Sequence, residues 1–332
     1  MAVVTGKAIT NNGLGLMKFV LPNDITPDDI IFRVLKTALE CGANVWNGAD
    51  FYGTPDHNSL HLMNRYFTKY PEDADKVVLS IKGGVVSLAT YQVDASPEFM
   101  RSQVDSANKV LDGKKIIDLF GPARVDPNVP IETTVEGLAQ LVKEGKIGGI
   151  QLCEVRADTI RRAAKVARID MIEAEVSLWS TDIFTNGVAE TCAELNIPIQ
   201  AYAPLGSGML TGQIKSIDDL PATDRRRLHF PRYQPENLKK NLALVRELKK
   251  FAQLKGYSIA ELALSWVKSG NGKVGKPFVV PIAGARSERR VRENCTGVDL
   301  SEGDLEKIAT ILDAFPVAGE RYPPKAMEYS EY

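Results

Sequence analysis

Eight short apolar runs recur along the chain, each followed by a longer segment of a different rhythm, and this alternation limits the possible folds more than any other feature. The runs are LGLMKFV (14–20), NVWNGA (44–49), KVVLSIKGG (76–84), KIIDLFGPA (115–123), KIGGIQLCE (146–154), IDMIEAEVSL (169–178), IPIQAYAPL (197–205) and FVVPIAGA (278–285). Strands that read apolar nearly throughout belong to parallel sheets covered on both faces. The segments between them, such as PDDIIFRVLKTALECG, SPEFMRSQVDSANKVL, IETTVEGLAQLVKEGK and RADTIRRAAKVAR, repeat apolar residues every three to four positions. Many open on Ser, Thr, Asp or Pro and close near Gly or Lys, as capped helices do. Eight such units are too many for the common six-strand open sheet, so the alternation predicts an α/β chain closed into a (β/α)₈ TIM barrel. No linker rich in Gly, Ser or Pro divides it, and a single domain over 1–332 is expected.

The rhythm stretches between the seventh and eighth runs, where about seventy residues hold a long loop around 211–237 and two helical patterns. An irregular tail over 315–332, with Pro316, Pro323 and Pro324, is the second departure. With 41 basic and 42 acidic side chains the net charge is -1, which offers no attraction for nucleic acid or an anionic membrane, and a small-molecule partner is expected. No run approaches the eighteen or so apolar residues of a membrane span, and the start of the chain lacks a signal-peptide pattern. Cys41, Cys153, Cys192 and Cys295 form no C-x-x-C pair, so neither a disulfide framework nor a zinc cage is suggested. A reducing compartment, the cytoplasm or the nucleus, is the expected location.

In a barrel of this kind the site lies at the C-terminal strand ends. There the sequence puts Asn47 to Tyr52 on strand two, Lys82 on strand three, Ala123 and Arg124 on strand four, and Cys153 and Glu154 on strand five. Glu173 and Glu175 lie on strand six, Tyr202 ends strand seven, and AGARSERRVREN follows strand eight. A free phenol has a pKa of about 10, and a nearby ammonium favours its ionised form, so Tyr52 and Lys82 together form a candidate acid. Spacing alone leaves a second reading open, in which a glutamate neutralises the lysine and the tyrosine only packs.

Arg286, Arg289, Arg290 and Arg292 near a helix start suit a phosphate, or are simply a solvated face. The glycines of PLGSGMLTG either let backbone approach a pyrophosphate or serve an ordinary loop. Arg225 to Arg227 have the same two readings. His57 and His61 are spaced i, i+4 as on a helix, but no third ligand accompanies them, so a structural pair and no metal are expected. Cys153 reads as a packing residue, and Trp179, directly after strand six, as a pocket wall.

GANVWNGADFYG, KVVLSIKGG, EVSLWSTDIF, IPIQAYAPLGSGMLTG, VVPIAGARSERRVREN and GERYP, in this order, resemble the aldo-keto reductases over essentially the whole chain. NSLHLMNRYFTKYP, VVLSIKGG, ARVDP and FPRYQPENLKKNLALVRELK are similar to the fungal pyridoxal reductases within that family. The resemblance implies NADPH-dependent reduction of an aldehyde, with hydride passing from the nicotinamide and a tyrosine protonating the oxygen. Tyr52 matches the proton donor, Lys82 its lysine, and Tyr202 the ring that stacks on the nicotinamide. Pro204, Leu205, Gly206 and Ser207 match the loop along the pyrophosphate. Gly284, Arg286, Arg290, Glu293 and Asn294 match the segment holding the 2'-phosphate and adenine.

Two positions depart from the family pattern. Asn47 stands where an aspartate is usual, and Ala123 where a histidine is usual. Cys153, Glu154 and Glu173 occupy the places of the carboxamide-binding serine, asparagine and glutamine. Without an acid at position 47, Lys82 is expected to lose a counter-charge and the Tyr52 phenol to become more acidic, with Asn47 left as a polar orienter. A small residue at 123 should widen the pocket, alongside Arg124 and Trp179, for a ring aldehyde such as pyridoxal. The competing readings are a reductase of another aldehyde or ketone in secondary metabolism, and a non-catalytic NADPH-binding regulator. Oligomeric state is not legible.

Overall fold

The computed structural model describes residues 2–21 and 26–330; the first residue, 22–25 and the last two of the expected tail lie outside it. Eight parallel strands close a ring: β1 (Asn12–Gly15), β2 (Ala43–Ala49), β3 (Val78–Gly83), β4 (Ile117–Pro122), β5 (Ile147–Cys153), β6 (Met171–Glu175), β7 (Ile199–Tyr202) and β8 (Val279–Gly284). Each pairs with its sequence neighbour, and β8 returns to β1. The alternation of runs is thus the barrel.

One boundary moves. The first run was expected as a strand to Val20, but β1 ends at Gly15 and Met17–Phe19 form a 3₁₀ turn. Leu16, Phe19 and Val20 are buried beneath that turn, which is why they read as strand.

Helices α1 (Asp28–Glu40), α2 (Ser59–Lys69), α3 (Pro97–Leu111), α4 (Ile131–Lys143), α5 (Ala157–Val166) and α6 (Val188–Glu194) each follow a strand. After β7 come α7 (Pro235–Leu254) and α8 (Ile259–Lys268), and after β8 come α9 (Glu288–Cys295) and α10 (Glu302–Ala314). The amphipathic faces seal a core between ring and helices in which Trp46, fully buried, stacks on Phe67 at 6.1 Å and meets Tyr66 edge-on at 5.3 Å. A wholly buried large side chain of this kind contributes on the order of 2–3 kcal/mol.

Inside the ring the residues are layered. Val45, Val78, Leu119, Met171 and Val280 form an apolar floor, closed from below by Val4 and Ile9 of the hairpin Ala2–Val4/Lys7–Ile9. Because side chains alternate along a strand, the inward positions two residues on form the next layer up. On β2, β3 and β6 these are Asn47, Ser80 and Glu173, all polar. The ring therefore has a dry base and a hydrogen-bonding interior.

The segment around 211–237 is built rather than open. It holds short turns at Ile217–Asp219 and Pro231–Tyr233 and one helical turn at Arg225–His229. Ile214, Leu220 and Tyr233 pack with Trp179, Met209 and Leu248 in a second core above the ring.

Candidate active site

Lys82, three percent exposed, stands at the end of β3 and points into the ring. Its ammonium donates to Asn47 Oδ1 at 2.8 Å and to both oxygens of Glu173 at 2.9 Å. The carboxylate of Glu173 also accepts from Asn47 Nδ2 at 2.8 Å and from Gln200 Nε2 at 3.0 Å. Ser80 Oγ accepts from Asn47 and Gln200, each at 3.2 Å, and donates to Gln151 Oε1 at 2.6 Å. This network corrects one expectation. Lys82 has a counter-charge after all, supplied from β6 across the ring.

The Tyr52 ring lies over the lysine, with Nζ 5.4 Å from its centroid. Two backbone devices set it there. Asp50 N donates to Lys82 O at 3.1 Å, extending the β2–β3 ladder one residue, and Gly53 then turns the chain. Gly53 has φ +99°, and a Cβ there would sit 2.2 Å from His57 O, so the turn behind the tyrosine admits only glycine.

Burial is the main influence on the Tyr52 phenol and pushes its pKa up; the Lys82 ammonium opposes it, while Glu173 pushes it further up. The more acidic phenol expected from Asn47 is therefore not found. Burial, the largest single influence on Lys82, acts in the opposite sense, but its neighbours together, Glu173 foremost, outweigh it and the lysine is held above its ordinary range.

Ala123 and Arg124 close the β4 side. Ala123 is buried, and Arg124 donates to the Ala123 carbonyl at 2.6 Å and lies 3.6 Å from Cys153 Sγ. Cys153 is buried and its thiol is pushed well above its usual pKa, chiefly by burial, which disfavours the reactive thiolate. Glu154 and Glu175 are held by Arg321 at 2.8 and 3.4 Å, and Glu175 also faces Arg232 at 3.8 Å. Beside them the Tyr202 and Tyr322 hydroxyls meet at 3.0 Å. Sequence reasoning assigned no role to Arg321 or Tyr322. The signal was present in GERYP, an arginine and a phenol in an otherwise irregular tail.

Trp179 lines a narrow cleft with Glu175, Ser207, Phe230 and Tyr322, but it is two percent exposed and edge-on to Tyr233 at 5.6 Å, so it seals the ring as much as it faces the cleft. After β7, Pro204 is buried and Leu205 partly so, while Gly206, Ser207 and Gly208 take three successive positive φ values. Tyr233 Oη and Arg226 Nη1 fix this turn by donating to the Ser207 carbonyl. Arg226 also pairs with Asp224 at 2.6 Å, and Arg227 donates to the carbonyls of Ile217 and Leu220, so these arginines build the long segment.

At the β8 end, Gly284 and Arg286 are exposed and Ser287 caps α9, which carries Arg290, Glu293 and Asn294. Arg290 pairs with Glu293 at 2.7 Å. The two histidines do not share a helix: His57 lies in the short hairpin Gly53–Thr54/His57–Asn58, and His61 in α2, where its Nδ1 is 2.9 Å from Asn58 Oδ1. No group that would hold a metal occurs among the described residues.

The closed barrel agrees with what comparison finds. The family model described as Aldo/keto reductase family matches residues 13–313. The chain belongs to the aldo/keto reductase family. Among curated members, Probable pyridoxal reductase 2 of Schizosaccharomyces pombe is 38% identical over 331 residues, covering 97% of each chain. Putative pyridoxal reductase of Saccharomyces cerevisiae is 37% identical, covering 94% of this chain and 95% of its own. The glycerol dehydrogenase AKR11B4 from Gluconobacter oxydans superposes with a TM-score of 0.80 at 23% identity over 95% of this chain and 94% of that one, which bears on the fold alone. This aldo/keto reductase is accordingly an oxidoreductase.

Proposed function

We propose that the protein reduces an aldehyde with NADPH, pyridoxal to pyridoxine being the preferred reaction, and that Tyr52 is the proton donor. The observation that carries this reading is the Lys82 ammonium 5.4 Å from the Tyr52 ring at the mouth of the barrel. The two relatives named as pyridoxal reductases support the substrate.

The donor set at the rim fits a phosphorylated dinucleotide. Arg286 and Arg290 stand at the start of α9, where guanidinium groups and the helix terminus favour a phosphate. The positive-φ turn over Gly206 to Gly208 presents backbone beside Tyr202, the residue proposed to face the nicotinamide ring. When bound, NADPH supplies the hydride, which goes to the carbonyl carbon. The residues do the rest. Tyr52 gives its hydroxyl proton to the carbonyl oxygen as that oxygen gains charge, leaving a phenolate that takes a proton back from water. Lys82 stabilises the phenolate, and Asn47 holds Lys82 from β2. Ala123, Arg124 and Trp179 are proposed to border the substrate.

The test is NADPH consumption with pyridoxal by wild type and by Tyr52→Phe. A loss of about 10²-fold or more with unchanged nucleotide binding supports the acid, whereas equal rates remove it. Tight NADPH binding with no turnover of any aldehyde would instead make the protein a nucleotide-binding regulator.

A further inference from the structure

Two side chains from opposite sides of the ring divide one negative charge around Lys82. Asn47, on β2, and Glu173, on β6, both accept from its ammonium and also bond each other, Asn47 Nδ2 donating to Glu173 Oε2 at 2.8 Å. Both are buried. We propose that Asn47 and Glu173 act as one exchangeable unit bearing a single charge, in which Glu173 is the residue that positions and neutralises Lys82 beneath the Tyr52 phenol. This rests on the reading of Tyr52 as proton donor.

Amide and carboxylate have the same shape, so moving the charge from 173 to 47 preserves the bonds among 47, 82 and 173 once the Gln200 amide, which now donates to the same Glu173 oxygen as Asn47, turns its own oxygen to that place. An aspartate at 47 would accept from Lys82 and from the amide of a glutamine at 173, just as Glu173 now accepts from Lys82 and from the amide of Asn47. What cannot change is the count. With no acid, a buried ammonium is left uncompensated; with two, like charges sit within hydrogen-bond distance and one must take a proton.

The surroundings do not supply a substitute. The titratable groups facing Lys82 besides Glu173 are Tyr52 and Cys153, and burial pushes both toward their neutral forms; Arg124, which acts on the Tyr52 phenol, is a further cation. Ser80, Gln151 and Gln200 carry no charge. Lys82, Asn47 and Gln200 all donate to Glu173, three of the four contacts falling on its Oε2.

Four proteins test the exchange: wild type, Glu173→Gln, Asn47→Asp and the double variant. Two readouts are taken: kcat/KM for pyridoxal across pH, and the titration of Lys82 followed by lysine side-chain NMR in the nucleotide-free protein, with Lys82→Met assigning the signal. Glu173→Gln should lower kcat/KM at least about tenfold and move the Lys82 titration down in pH, and Asn47→Asp should move the alkaline limb of the rate profile up. The double variant should return both readouts to within about threefold of wild type, a recovery that damage to the fold would not give. If Glu173→Gln alone does not fold, rescue of folding by the added Asn47→Asp supports the unit and failure to rescue overturns it. A folded double variant no better than Glu173→Gln, or a Glu173→Gln protein with unchanged Lys82 titration, also overturns it. Should wild type reduce no aldehyde, the catalytic reading falls while the Lys82 titrations still decide the exchange.

Discussion

Glu173 presents both carboxylate oxygens to the Lys82 ammonium at 2.9 Å, though the two residues lie 91 positions apart in the chain. The lysine thus faces two ways, bonded to an acid inside the ring and electrostatically opposed to a phenol at its mouth. Lys82→Met removes the group that opposes the rise of the Tyr52 pKa and leaves Glu173 buried without its cation. We expect kcat to fall by about 10²-fold or more, and what activity remains to shift to higher pH, because the phenol then ionises later. A kcat profile of Lys82→Met matching wild type across pH would contradict the role given to the lysine.

Asp50, two residues before Tyr52, has its carboxyl pushed up to about 7, mainly by burial, and its Oδ1 finds no partner among the described residues. Unfolded, the same carboxyl ionises near pH 4. Between those values the folded protein holds a proton that the unfolded chain has released, so stability falls as pH rises through this window. Asp50→Asn should therefore stabilise the protein by about 1–3 kcal/mol at pH 8, allowing for the partial exposure of the residue, and much less near pH 4. Urea midpoints at the two pH values check this, and equal gains at both would rule out the buried charge as the cause.

Arg321 neutralises two buried acids from the tail. Arg321→Gln leaves Glu154 without its ion pair, Arg124 acting on it only from farther off, and Glu175 with only Arg232. The expected cost is about 3–5 kcal/mol at neutral pH, smaller in acid, where the stranded carboxyls accept protons instead. Thermal melts at two pH values measure it, and trypsin should cut the tail of the variant faster. A tail as resistant as in wild type would mean that the ion pairs do not anchor it.

Ala123 is closely invested: its N–H donates to Gly83 O at 2.8 Å and its carbonyl accepts from Arg124 at 2.6 Å. An imidazole at this buried position overpacks it by about 1–3 kcal/mol. Ala123→His should lower pyridoxal turnover several-fold. A tenfold rise in kcat would show instead that the pocket lacks a donor.

The barrel is legible in the chain because each strand declares itself locally, by an apolar run, and each helix by its period. Leu16, Phe19 and Val20 mislead for the same local reason: burial in a turn and burial in a strand look alike in one dimension. The candidate acid was also visible, since Tyr52 and Lys82 sit at strand ends. A glutamate partner for the lysine is one of the two readings the spacing leaves open; that it is Glu173, and that the lysine serves the acid and the phenol at once, depends on closure of the ring. A finer reading of alternate positions would have helped, for Ser80 and Lys82, and Glu173 and Glu175, recur at a spacing of two within otherwise apolar runs. His57 and His61 failed as a helical pair because Asn58 caps α2, with Oδ1 accepting from the N–H groups of Leu60 and His61, and so excludes His57 from the helix.

The arginine of the tail has a consequence for biosynthesis. Every strand of the ring is translated before position 321, so a nascent barrel can assemble on the ribosome while the acids of β5 and β6 still await their cation. Completion of the mouth therefore comes after closure of the ring in the order of synthesis, and it is added to a scaffold that can already have formed.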